Sequence, residues 1–167
     1  MATKHPKETF IRLLSDVRQA TERSNEVFQE LSKAAENPRV KEALEARAFV
    51  SQQVLDKLDR CFKLIGEQPV KLSGRLQEVF VEDFRRELAE IESPAARHLY
   101  ILAKAIHLVH LRIGEYVALI AAADLSGHDA VGLLLETCLA DKLAFVERTR
   151  RLIREMLEAK VAERIAA

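Results

Sequence analysis

Tryptophan is absent from the 167-residue chain, glycine occurs five times, proline four times and cysteine twice. So few turn-forming residues argue against architectures of many short strands. With Ala, Leu, Glu, Arg and Lys abundant, they predict long, uninterrupted helices and an all-α fold. No strand pattern and no glycine-rich phosphate loop occurs, which sets aside P-loop and dinucleotide-binding folds. Neither sign of charge is in excess. The 26 Lys and Arg are balanced by 26 Asp and Glu, interspersed along the chain, so no surplus field exists to attract a phosphate backbone or an anionic lipid surface. Neither nucleic acid nor membrane is expected as a partner. Cys61 and Cys138 match no metal or redox spacing and fall within helical patterns, as reduced core thiols of a cytoplasmic protein would. The start, MATKHPKETF, has no apolar run of the secretory type. The most apolar stretch, 99–123, is interrupted by Lys104, Arg112 and Glu115, which reads against a membrane span. The length suits one domain over 1–167, with a core at about 9–160, able to bury roughly two-thirds of its unfolded surface.

Apolar residues recur at helical spacing in five segments. Phe10, Leu13, Leu14, Val17, Thr21, Ser24, Phe28 and Leu31 define a first helix over 9–35. Asn37-Pro38 supplies a cap and a first-turn proline for a second, over 38–65, whose stripe runs through Val40, Leu44, Arg47, Val50, Val54, Leu58 and Phe62 to Gly66. A shorter amphipathic segment, capped by Ser73 and ending near Glu92, reads as a helical crossover. Ser93-Pro94 repeats the cap-and-proline signal and opens a helix to Leu125, apolar nearly all round and ended by Ser126-Gly127. Asp129 favours the start of a last helix reaching about Ala162. Two helical pairs, each with a short turn, joined by one long crossover, predict a four-helix bundle of ferritin-like layout with an additional short crossover helix.

Five segments carry a resemblance to a known family: LLSD at 13–16, KAAENP at 33–38, HLRIGEY at 110–116, the turn at Gly127 and LLLETCLADK at 133–142. In this order and spacing the chain resembles the bacterial YciE/YciF-like, stress-associated branch of the ferritin-like superfamily, over about 9–150. The resemblance implies a di-metal site built from one carboxylate on each of two helices and Glu-x-x-His on each of the other two. No Glu-x-x-His exists in this sequence. The family's first-helix carboxylate falls on Thr21, and the adjacent Glu22 points about 100° away. Its second-helix Glu and His fall within Phe49-Val50-Ser51-Gln52. Its fourth-helix Glu-His-Tyr-Glu becomes Val109-His110-Leu111-Arg112, and its last-helix glutamates become Leu139-Ala140-Asp141. Iron or manganese needs about four carboxylates in such a site, so the ligand positions, with Phe49, Val50 and Val109 expected to fill the centre, imply a metal-free relative.

Two candidate ligands survive. Asp141 falls in the run Leu134, Cys138, Asp141, Phe145, Leu152, and His110 in the run Ile106, His110, Ile113, Val117, both at core spacing. With His107 one turn earlier they could hold one ion such as zinc. They could equally form a buried polar pair joined by Arg47. Thr21, Ser24, Ser51 and Gln52 could line a wet pocket, or the hydroxyls could bond back to the preceding helical turn. Cys138 beside these residues invites a nucleophile, but nothing in the sequence supplies an oxyanion hole or an activating cation. Leu108, Leu111, Val117, Leu119, Ala122 and Ala123 extend the apolar surface of the fourth helix beyond one seam, which predicts a homodimer or a heterodimer with a paralogue.

The expected function is therefore a non-catalytic, metal-free structural or interaction module related to bacterial stress-response proteins. The alternative is a metalloprotein of stress response, with di-iron chemistry or a rebuilt mononuclear site for iron, manganese or zinc. A third reading, a small-ligand carrier, requires a cavity between the helices.

Overall fold

The computed structural model describes the backbone of residues 6–166 and the side chains up to residue 160. Five helices follow one another: α1 (Pro6–Ala34), α2 (Pro38–Ile65), α3 (Arg75–Ala89), α4 (Pro94–Leu125) and α5 (Asp129–Ala166). Among the described residues there is no strand, so the fold is all-α, as composition requires. α2 and α4 have the bounds their caps predict. The Asn37 side chain accepts from the backbone N–H groups of Arg39 (2.9 Å) and Val40 (3.3 Å) ahead of Pro38, and Gly66 closes α2 in the left-handed conformation at φ 68°.

Four boundaries differ from expectation. α1 starts earlier, at Pro6, and α5 continues past 162 to Ala166. α3 is capped by Gly74 (φ 62°) rather than Ser73, and it stops at Ala89. The reason lies in α1. Arg23 donates to the Gly74 carbonyl at 2.9 Å, and Gln19 holds both ends of Leu72, at 2.9 Å each, so side chains of α1 fix the chain just before α3 begins.

α1 and α2 form one antiparallel hairpin and α4 and α5 the other; α2 on α5 and α1 on α4 close the bundle, while α3 crosses outside α1 and α4. This is a four-helix layout with one long connection. The core is in two parts. One end holds Leu14, Val17, Val54, Leu58, Tyr116 and Leu135. The other holds Phe28, Leu31, Leu44, Ile101, Leu102 and Phe145. Each long helix passes from one apolar cluster to the other through a buried polar residue: Thr21 on α1, Arg47 on α2, Arg112 on α4 and Lys142 on α5.

α4 is, by length and composition, apolar enough to cross a bilayer, so interruption by charge does not by itself argue against a span. Its best 18-residue window has mean hydropathy 1.4 and is 33% buried. Two of its charges are nonetheless paired with neighbouring helices, Lys104 with Glu87 of α3 and Arg112 with Asp16 of α1, each at 2.9 Å. A core helix meets the same compositional test.

Candidate functional site

The polar layer lies at mid-bundle, at the height where the resemblance places its metal ligands, and three of its four members are basic. Arg112 is 6% exposed. Its Nη1 pairs with Asp16 at 2.9 Å and with Glu115 at 2.9 Å, and its Nη2 is accepted by the side-chain oxygen of Gln77, whose amide nitrogen donates to the Gly74 carbonyl at 3.1 Å. Burial pushes the Glu115 carboxyl upward, and the Arg112 charge opposes that shift. Arg112 thus ties α1, α3 and α4 together.

Lys142 is 4% exposed, with its ammonium 4.8 Å from the centre of the Tyr116 ring. Burial, reinforced by the Arg47 charge, pushes that ammonium down to about 7. Arg47 is 3% exposed and lies against two aromatic rings, 5.7 Å from the centre of Phe28 and 5.6 Å from that of Phe145. Its Nε and Nη1 have no hydrogen-bond partner, and neither has the Tyr116 hydroxyl. Burial lowers the Arg47 pKa and raises that of Tyr116.

Helical phase explains where the expected site residues fall. The inward line of α5 runs Leu135, Cys138, Lys142, Phe145, which leaves Asp141 half-buried at the seam, bonded to Lys57 of α2 at 2.9 Å. The inward line of α4 runs Val109, Arg112, Tyr116, which puts His110 on the exposed side rather than in the core stripe. His107 is also exposed, edge-on to Phe80 of α3 with centroids 6.0 Å apart. His107, His110 and Asp141 are not gathered into a metal-binding group, and no cluster of three or more His, Cys, Asp or Glu suited to a metal exists among the described residues. Phe49 does not fill the centre; it is 67% exposed, because Arg47 and Ser51 are the inward residues of that turn. Val109 is buried, Val50 half-buried, and Gln52 and Ala140 are exposed. The hydroxyls bond back to their own helices, Thr21 to the Val17 carbonyl (2.6 Å), Ser24 to Ala20 (2.6 Å) and Ser51 to Arg47 (3.0 Å).

Cys61 and Cys138 are free and buried, and burial raises their thiols to about 12 and about 11. Neither is an activated nucleophile. A metal pair needs anionic oxygen donors to offset its charge, whereas this layer presents two guanidinium groups and an amine. The donor set does not fit iron, manganese or zinc. Lys142 escaped the sequence argument because Asp141, its neighbour, drew the assignment; the spacing of Leu135, Cys138 and Phe145 would have placed Lys142 inside.

A family model described as a domain of unknown function, DUF892, matches residues 5–166. No curated protein matches. Among solved structures, the chain is similar to the Escherichia coli stress protein YciF, with 21% identity over 93% of this chain and 99% of that one and a TM-score of 0.87. It is also similar to YcfI of Rhodopseudomonas palustris, described as a candidate structural protein, at 22% identity over 88% and 94% of the two chains, TM-score 0.83. A third likeness is to a protein of Xanthomonas campestris, 16% identical over 96% and 99%, TM-score 0.71. At these identities the likeness establishes the fold.

Proposed function

The chain belongs to the DUF892 family, and from that premise we propose that it is a non-catalytic, metal-free, ferritin-like scaffold of the cytoplasm, related to bacterial stress proteins and working as a dimeric structural or interaction module. One observation carries this reading: Arg47, Arg112 and Lys142 occupy the mid-bundle layer where a di-metal protein would hold carboxylates. A divalent cation there would be repelled by the side chains that had to bind it, so redox or hydrolytic metal chemistry has no support at this centre.

The module acts through its surface. α4 presents an exposed stripe of small and apolar residues, Gly114, Val117, Ala118 and Ala121, with Val117 55% exposed, and Leu143 of α5 beside it is 49% exposed. The two helices form an open groove of about 420 Å³ lined by Val117, Ile120, Ala121, Leu139, Ala140 and Leu143. The face differs from the one the sequence suggests, since Leu108, Leu119 and Ala123 are inside the bundle. A second copy of the chain, or a paralogue, covers this face in the proposed assembly. Sedimentation velocity on the full chain tests it: a dimer is expected, and Val117→Glu with Leu143→Glu should give a folded monomer. A wild-type monomer at micromolar concentration would contradict the dimer.

A further inference from the structure

Arg47 carries two buried N–H groups, at Nε and Nη1, that no acceptor answers. The rings of Phe28 and Phe145 compensate its charge, but a π face leaves in-plane donors unused. The carboxylate whose charge reaches it, Asp141, is already bonded to Lys57. Arg112 on α4 has three partners for the same kind of group, so the bundle is able to satisfy a buried arginine, and at Arg47 it leaves Nε and Nη1 without one.

Arg47 also lines a cavity of about 320 Å³ between α2 and α5, within the size range of small-molecule sites. Ala43, Ala46, Val50, Ala144 and Leu152 make most of its wall apolar, with the edge of Phe145 against them. Its charged lining consists of three arginines, Arg39, Arg47 and Arg148, against two carboxylates, Glu42 and Asp141. One positive charge is in excess, and Arg47 is the buried arginine of the three, with Nε and Nη1 lacking an acceptor.

We propose that this groove binds a monocarboxylate with an apolar tail, its carboxylate on the Arg47 guanidinium and its tail along the alanine-lined wall between α2 and α5. The planar guanidinium, held by two rings, matches the two oxygens of a carboxylate. An anion there also offsets the Arg47 charge that acts on Lys142, where Arg112 works in the same sense and Asp141 in the opposite one. A more highly charged anion such as phosphate exceeds the single surplus charge and leaves the apolar wall unfilled. The inference stands apart from the dimer face, which lies on α4 and the other side of α5.

The test is calorimetric titration of the full chain with octanoate below its micellar range, with EDTA present so that no adventitious metal can hold the carboxylate. Saturable one-to-one binding is expected, with octan-1-ol, which has the tail without the charge, at least about tenfold weaker. Arg47→Met should keep the fold and lose at least about tenfold in octanoate affinity. Ala144→Phe, which fills the groove and leaves Arg47 in place, should abolish binding, and it carries the test if Arg47→Met fails to fold. Absence of binding to the wild type, equal affinity for octanoate and octan-1-ol, or octanoate affinity unchanged by either substitution would overturn the proposal.

Discussion

Lys142 brings an ammonium into the buried polar layer, and its pKa falls to about 7 through burial and through the nearby Arg47 and Arg112 charges, with Cys138 and Asp141 acting the other way. In the unfolded chain the same group titrates near the ordinary lysine value, so above about 7 the unfolded state binds a proton that the folded state does not. Stability therefore rises with pH from about 7, and this contribution is lost as pH falls through the folded value. The raised thiols of Cys61 and Cys138 act in the opposite sense only once the unfolded cysteines begin to ionise, near 9. Urea unfolding should thus show a gain of about 2 kcal/mol between pH about 7 and about 8.5, absent in Lys142→Met. A wild type with flat stability over that interval would show that the ammonium is not desolvated. Arg47 was legible in the sequence as a member of the α2 stripe. Lys142 was not, because a shift of one residue, 100° of helical rotation, exchanges it with Asp141.

At the scale of elements, caps and helical spacing were enough to place α2 and α4, since Asn37-Pro38, Gly66 and Ser93-Pro94 act through neighbouring backbone groups. The start of α3 was illegible because it is set across the fold: Gln19 and Arg23 of α1 grip Leu72 and Gly74, contacts more than fifty residues apart in sequence. Gly74 has φ 62°, and a Cβ there would come within 2.3 Å of the Arg23 guanidinium. Gly74→Ala should cost about 1–2 kcal/mol and loosen α3 from α1, measurable as faster amide exchange in the first turn of α3. Unchanged exchange and stability would mean that α3 is held by its apolar side chains alone, Phe84 and Leu88 first among them. Arg112 was legible at a position where the resemblance implies a glutamate, and Arg47 as a stripe residue, but not that both turn inward to one layer, because Phe49 and His110, close to them on α2 and α4, were the residues expected inside.

The whole molecule is two apolar clusters joined by a layer in which the sign of the charge is reversed relative to a di-metal centre. Helix number, order and the long connection follow from the hydrophobic pattern. The identity of the centre does not, since it depends on four side chains, Thr21, Arg47, Arg112 and Lys142, converging from separate helices. A desolvated amine, a guanidinium beside two rings and an ion-paired guanidinium lie at the centre of the bundle. The most direct test is elemental analysis of the full chain after incubation with iron(II), manganese(II) or zinc(II) and removal of free metal. The account predicts well under one ion of each metal per chain, with unfolding unaffected by EDTA. Retention of one or two ions per chain, lost when Arg47, Arg112 or Lys142 is substituted, would contradict it.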